Sequence, residues 1–381
     1  MGLLRPGGRG IGPPGPAGSP RLRRLGLAIN GRFLSQRTTG VQRHARELVR
    51  ALDRKLEVND SQLEVSLLTP HDATLDLPLQ RIRVRRVGSL RGVLWEQLEL
   101  PRHARGHLLL NLANTGPAIS FRQVVTIHDA SIFAVPEAYS PVFRRYYRFL
   151  LPHLARRAEL VLTDSEFSRS ELIRWMRVAE EKIRVVPCGY EHILATPADP
   201  DVLERLGLGG RPYVLAVGSS ARHKNLEAVS AAIRLLGPHG WDYVLAGPVN
   251  PRIFGSSGTP DFAVQAGYVT DAELRALYQG AACFVYPSRY EGFGLPPVEA
   301  MACGCPVVVS RSASLPEVCG DAALYADADD PQQLATAIRR VMCEEGLSDR
   351  LRQRGLERAR HWSWDTSAAK TLAALDEVMA R

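Results

Sequence analysis

Short apolar runs alternate along this chain with stretches whose apolar residues recur every three to four positions. RLGLAIN (Arg24 to Asn30) predicts a first strand, and VQRHARELVRALDR (Val41 to Arg54), with its 3.6-residue period, a first helix. LEVSLLTP, IRVRRV, HLLLNLA and QVVTIHD follow as strands. AELVLTDSEFSRSELIRWM reads as a strand feeding a helix, and KIRVVPCGY as the last strand of this series. Strands that alternate with helices predict an α/β, doubly wound parallel sheet. The rhythm breaks in CGYEHILATPADPDVLERL, so the linker is placed at residues 193–204. A second series then begins with YVLAVG, a helix from Leu226, DYVLAG and FAVQAGYVTDAELRALY. There Thr270 and Glu273 have the spacing of a capping box. CFVYP, PVVVS and ALYAD add strands, Asp330 should cap a helix whose first residue is Pro331, and WSWDTSAAKTLAALDEV is helical. The expected division is residues 1–20 as a disordered tail, 21–192 and 205–360 as two Rossmann-like domains, and 361–381 as a terminal helix. Ligands of such sheets bind beyond the carboxyl ends of the strands, which puts the site in the cleft between domains.

Composition narrows the partners. Of the 381 residues, 45% are hydrophobic and 23% charged, the balance of a globular protein. The net charge of +8 comes almost wholly from arginine and favours nucleotides, phospholipid surfaces or nucleic acid. A basic arm and zinc or RNA-binding signatures are lacking, so nucleic acid is not expected. The six cysteines have no zinc spacing and read as small core residues in a reducing compartment. Met1 to Pro20 is rich in glycine, proline and arginine, without the apolar segment of a signal peptide. No run of about 18 apolar residues predicts a membrane span.

The chemistry concentrates in SRYEGFGLPPVEAMACGCP (Ser288 to Pro306). Glu291 and Glu299 stand eight residues apart, separated by Gly292, Phe293, Gly294, Leu295 and two prolines. With the apolar run before it, this predicts strand, glycine loop and helix. Free amides and the dipole at such a helix start form a seat for an anion. A carboxylate at each end suits a ligand with a phosphate middle and hydroxyls at both ends. In AVGSSARHKNLEAV a strand ends at Gly218, a loop carries Arg222, His223 and Lys224, and Asn225 is an N-cap candidate. A further strand ends in His128-Asp129, and Thr38, Thr39 and Gly40 precede the first helix. NLANTGP is a polar loop at another strand end, and Ser165 and Glu166 stand where capping and cleft duties overlap. The D-x-D at Asp327 and Asp329 reads as a cap and surface loop, with no metal site. The stretch Ser140 to Glu159 mixes arginines with Phe143, Tyr146, Tyr147 and Phe149, and suits either a solvated core helix or anionic lipid.

The E-x7-E pair inside EGFGLPPVEAMACGCPVV resembles the retaining glycosyltransferases of family 4, which have the two-domain GT-B fold, and the resemblance runs from about Gly26 to Leu375. It implies donor binding by Gly218, Arg222, Lys224, Gly292, Phe293, Gly294, Leu295 and Glu299, with Glu299 on the ribose. His128, Glu291 and Lys224 take the catalytic roles, and Thr39 and Gly40 face acceptor and diphosphate. Lysine, arginine and helix dipoles stand in for a metal, so no cofactor is expected beyond the nucleoside diphosphate sugar substrate. The terminal helix crosses back onto the first domain. The family's phosphate arginine often stands directly after the glycine, here Ser219, or directly before the lysine, here His223, so Arg222 is the substitute. TGVQRHARELV and VGSSARHKNLEAV lean toward the mannosyltransferase-like branch that builds bacterial surface polysaccharide. The expected reaction moves a hexose, first mannose from GDP-mannose, to a saccharide or lipid-linked acceptor with retention. The expected location is cytoplasmic, peripheral on the inner face of the plasma membrane. A nucleotide-sugar epimerase and a non-catalytic nucleotide-sugar-binding partner are the alternative readings.

Overall fold

The computed structural model describes residues 26–58, 63–120, 122–218, 221–238, 240–247 and 262–381. The tail expected at residues 1–20, and Ser219, lie outside them. The first unit runs β1 (Gly26–Asn30), α1 (Gly40–Val58), β2 (Val65–Thr69), β3 (Arg83–Arg86), α2 (Gly92–Leu94), α3 (Leu100–His103), β4 (His107–Asn111) and β5 (Gln123–Thr126). It continues with α4 (Ser131–Ala134), α5 (Pro141–Arg157), β6 (Leu160–Thr163), α6 (Glu166–Met176) and β7 (Ile183–Val185). The connector holds α7 (Glu191–Ala195) and α8 (Asp201–Arg205). The second unit runs β8 (Tyr213–Val217), α9 (Leu226–Leu236), β9 (Asp242–Ala246), β10 (Ala263–Gly267), α10 (Asp271–Gly280), β11 (Cys283–Tyr286) and α11 (Leu295–Ala302). Then come β12 (Val307–Ser310), α12 (Leu315–Cys319), β13 (Ala323–Ala326), α13 (Pro331–Cys343), α14 (Leu347–Ala359) and α15 (Trp364–Met379).

The strand order is β3-β2-β1-β4-β5-β6-β7 in one sheet and β10-β9-β8-β11-β12-β13 in the other, with every pair parallel. Each sheet reverses direction once, at β1/β4 and at β8/β11. At such reversals the flanking loops part and leave a crevice. The inner strands are buried along their length because helices cover both faces, which is why they read as short, mostly apolar runs. Edge strand β3 is exposed and carries three arginines that discourage pairing with another chain.

Local signals appear where the patterning places them. Thr270 and Glu273 close a capping box on α10, and Asp330 Oδ1 accepts the amides of Gln332 and Gln333 at 2.9 and 3.1 Å. The connector is more structured than a plain linker, because Ile193 and Val202 are drawn into the core. One apolar cluster passes from Ile29 and Leu48 through those two residues and Trp364 to Phe284 and Val309. Helix α15 packs along α1, and Arg184 holds Glu377 with contacts of 2.8 Å. Four cysteines are buried, but Cys343 ends α13 exposed, so it is not the core residue expected. Asp327 and Asp329 lie exposed, with Asp329 held by Arg289 at 2.7 Å.

Candidate active site

The loop after β11 and the short turn after β8 meet at the reversal of the second sheet. Lys224 closes a 3-10 turn, Arg222–Lys224, and its Nζ lies 2.8 and 3.0 Å from the two carboxylate oxygens of Glu291. The Tyr286 hydroxyl, at the end of β11, accepts from Lys224 at 2.9 Å and donates to Glu291 Oε1 at 2.9 Å. Burial alone raises the Glu291 carboxyl pKa. The charges of Lys224 and His223 and its hydrogen bonds outweigh burial and hold it below the usual range. Burial pulls the Lys224 ammonium down, but Glu291 raises it to a net value above normal. Both groups are therefore charged at neutral pH.

The glycine loop is fixed by its carbonyls. Ser314 Oγ donates to the carbonyls of Glu291 and Phe293 at 3.0 and 2.9 Å. From the other domain, Ser165 Oγ and Ser168 Oγ donate to the Gly292 carbonyl at 2.6 and 3.0 Å. Ser165 also caps α6, so its capping and cleft duties coincide. A Cβ on Gly292 would stand 2.7 Å from the His128 carbonyl oxygen, and this close approach requires glycine. Gly294 has φ 98°, a left-handed turn that starts α11, with Leu295 as first helical residue and two prolines behind it. The first amides of such a helix have no partner inside it.

His128 stands at the end of β5, facing that loop, and is 6% exposed. Its Nδ1 is 2.8 Å from Asp164 Oδ2, its Nε2 is 3.2 Å from the Leu112 carbonyl, and its amide donates to Asn114 Oδ1 at 2.8 Å. Burial lowers its pKa, but the charge and hydrogen bond of Asp164 outweigh that and raise it. Beside it His44 packs edge-on at 4.6 Å between ring centres, and burial, then His128, lowers the His44 pKa to about 4. Ligand-type atoms of His44, Asp164 and Cys188 all lie within 4.8 Å of one another, a buried grouping that the metal-free expectation did not foresee.

Glu299 lies on α11, 7% exposed. Its Oε1 is 2.7 Å from His192 Nε2 and its Oε2 accepts from Tyr278 at 3.2 Å. The Trp364 indole donates to His192 Nδ1 at 3.2 Å, so Nε2 carries the hydrogen given to Glu299. Burial raises the Glu299 pKa, but the His192 hydrogen bond outweighs it and lowers it.

The remaining expected residues are placed as follows. Gly218 follows β8, and Gly247 approaches so closely that a Cβ there would lie 2.1 Å from the Gly218 carbonyl. Arg222 is exposed beside Lys224. Asn225 is no conventional N-cap: it has φ 55°, and its amide instead donates to the carbonyls of Pro287 and Ala328 at 3.2 and 2.7 Å. Its left-handed backbone, and an amide turned toward those two carbonyls, leave the helix without a side-chain cap bond. Thr39 is exposed and bonds Gln42, and a Cβ on Gly40 would meet nothing within 4 Å. Arg43, one helical turn on, reaches Asp271 of the second unit at 2.5 Å. Tyr286, Asp164, His192 and Ser168 carry no motif that singles them out. Only their positions at strand ends and helix starts marked them.

Two facing Rossmann-like units, with a glycine loop and a lysine turn of one opposed to a strand-end histidine of the other, make up the GT-B fold of glycosyltransferases. The sequence profile described as Glycosyltransferase Family 4 matches residues 38–193, and that described as Glycosyl transferases group 1 matches residues 202–358. The chain belongs to this family and is a glycosyltransferase. It is 37% identical over 271 residues to an O-antigen chain mannosyltransferase B of Escherichia coli, covering 66% of this chain and 70% of that protein. It is 30% identical over 295 residues to an MMP alpha-(1->4)-mannosyltransferase of Mycolicibacterium hassiacum, covering 72% and 68%. Among solved structures, the sucrose-phosphate synthase from Thermosynechococcus elongatus superposes with a TM-score of 0.72 at 22% identity, over 94% of this chain and all of that one, a likeness of fold.

Proposed function

We propose that this glycosyltransferase moves a mannosyl group from GDP-mannose, with retention at the anomeric carbon, to a hydroxyl of a saccharide or lipid-linked acceptor during assembly of a bacterial surface polysaccharide. The observation that carries the reading is the meeting of Lys224, Glu291 and the Gly292–Leu295 loop opposite His128. Lys224 exchanges one carboxylate oxygen for the donor diphosphate, and Arg222 approaches from the solvent side. The amides at the start of α11 add fixed dipoles where charge grows on the leaving group, and preorganised charge of this kind is usually the largest catalytic term. Glu291 orients the donor sugar, Glu299 the ribose, and His128 sits beside the reacting carbon. The mannosyl and polysaccharide parts draw support from the two relatives named above. No helix among the described residues is long and apolar enough to cross a membrane. We place the enzyme in the cytoplasm, touching anionic lipid at most peripherally, without resident metal or cofactor and without nucleic acid.

Thermal melting with nucleotides tests the donor assignment. GDP or GDP-mannose should stabilise more than UDP or UDP-glucose. A ligand at about 100 times its dissociation constant adds about 2.7 kcal/mol. A larger shift with UDP-glucose removes the GDP-mannose reading. The anomeric configuration of the new glycosidic bond, read by NMR and compared with that of the donor, tests retention.

A further inference from the structure

The turn Arg222–Lys224 carries three basic side chains in a row, and their settings differ. Arg222 is exposed, Lys224 is bound to Glu291 and Tyr286, and His223 is half-buried. The donor assignment gives His223 no task. Its backbone is fixed, because its carbonyl accepts from the Arg289 amide at 2.8 Å and from Ser288 Oγ at 3.1 Å. Its ring is less well satisfied. His223 Nδ1 is buried and has no hydrogen-bond partner among the described residues. A buried polar atom without a partner is uncommon in native structures, and a role at a functional site is one of the reasons such an atom persists.

The charged groups around this imidazole come from both units. Its own turn contributes Arg222 and Lys224. The loop after β11 contributes Glu291 and Arg289, whose guanidinium is already held by Asp329 at 2.7 Å. From the first unit, the turn Pro136–Ala138 packs on the turn of His223 and brings Glu137, and Asp129 follows β5. Tyr139 stands nearby, bonded to Ser131, and burial and then Asp129 push its pKa up to about 12, so it stays uncharged. Burial, then the charge of Lys224, lower the His223 pKa, while Glu291, Asp129 and Glu137 oppose them. The imidazole is therefore neutral at pH 7.

A donor diphosphate would reverse that balance. Each of its phosphates carries a permanent negative charge. Lys224 turning to it takes away the repulsion that His223 feels from the ammonium. The phosphate oxygens accept from an imidazolium N–H in a charge-assisted bond, and protonation makes both ring nitrogens donors.

We propose that His223 joins Lys224 as a ligand of the donor diphosphate, neutral in the free enzyme and protonated in the complex, so that donor binding takes up a proton. The inference rests on the glycosyltransferase reading and adds to it a pH dependence that a lysine and an arginine, charged across the physiological range, do not supply. The sign follows from linkage. A group that gains a proton on binding favours the complex at low pH, and affinity falls as the pH rises through the value His223 has in the complex.

Titration calorimetry of the full chain with GDP-mannose and with UDP-glucose tests this. Unlike GDP, these diphosphate diesters have no phosphate that titrates near neutrality, so any proton taken up goes to the protein. The donor that binds should do so with uptake of roughly a third of a proton or more at pH 7, read from the heats in buffers of different ionisation enthalpy. Its affinity should fall about fivefold or more from pH 6 to pH 8. His223→Asn should abolish the uptake and flatten the profile at the weak, high-pH level. His223→Arg should bind tightly with a flat profile, and Arg222→Met should bind more weakly while keeping the uptake. In the parent, nitrogen NMR of labelled histidine should show one imidazole become imidazolium on donor binding, a change that His223→Asn lacks. Binding without proton uptake, or uptake that persists in His223→Asn, overturns the proposal and leaves the donor reading in place. Failure of both sugar nucleotides to bind at any pH overturns both.

Discussion

Removing Lys224 should expose the cost of the charge it neutralises. Glu291 is 9% exposed and the Lys224 side chain 21%, and they meet through two short contacts of 2.8 and 3.0 Å with Tyr286 bonded to both. Taking one partner from a buried pair typically costs about 3–5 kcal/mol, because the other charge stays behind without compensation. The partial exposure of Lys224 puts the expected loss for Lys224→Met near the lower end, about 3 kcal/mol. Neutralising both, in Lys224→Met/Glu291→Gln, removes the orphan charge and should recover about 2 kcal/mol of that loss. The sign of the pH dependence is a second readout. In the parent the Glu291 pKa is depressed, so its contribution is present above the ordinary carboxylate range and is lost as pH falls through the folded value. In Lys224→Met the largest charge opposing burial is gone, and burial raises that pKa against only His223 and the remaining hydrogen bonds. The variant is then worst at neutral pH, and its deficit shrinks as the pH falls toward about 4 and Glu291 takes a proton. Urea unfolding without nucleotide, at pH 7.5 and pH 5, measures both effects. A single variant within about 0.5 kcal/mol of the parent, or a double variant no better than the single, refutes the reasoning.

The remaining predictions use other contacts of the cleft. Glu291→Gln should lower kcat more than it raises the donor KM, whereas Glu299→Gln should mainly raise KM, because only contacts that strengthen in the transition state show in kcat; steady-state kinetics with the reverse pattern means the donor lies the other way across the loop. Replacing Ser165 and Ser168 together by alanine strips the Gly292 carbonyl of both donors, and should cost about 1–3 kcal/mol of stability together with a raised donor KM. Activity should survive overnight chelation with EDTA. Loss of turnover restored only by a divalent ion would make the His44, Asp164 and Cys188 grouping a metal site and end the metal-free reading.

The sheet architecture was legible because its causes are local. Strands buried on both faces need unbroken apolar runs, and helices packed on one face need a 3.6-residue period, so each element announces itself. The capping box of Thr270 and Glu273 and the cap of Asp330 are equally short-range. Asn225 shows where that reach ends. Its sequence context is that of an N-cap, but its amide is claimed by the carbonyls of Pro287 and Ala328, 62 and 103 residues onward. Tertiary partners outbid the local one, and only the folded chain brings them near.

The same limit explains why candidate residues could be named from the sequence while their arrangement could not. Lys224 and Glu291 each stand in a block with recognisable chemistry, yet 67 residues separate them, and nothing in either block says that they pair. His192 has no motif at all, and it reaches Glu299 across 107 residues while the Trp364 indole fixes its tautomer. The terminal helix, expected only to cross back onto the first domain, is therefore also wired to a candidate donor residue. Trp364 is buried, begins α15, and ends a chain of hydrogen bonds that starts at Glu299. A shift of α15 along α1 would be felt at the Glu299 carboxylate through two hydrogen bonds. Packing and site geometry are here one construction, since the helix that closes the first unit also holds a carboxylate of the second.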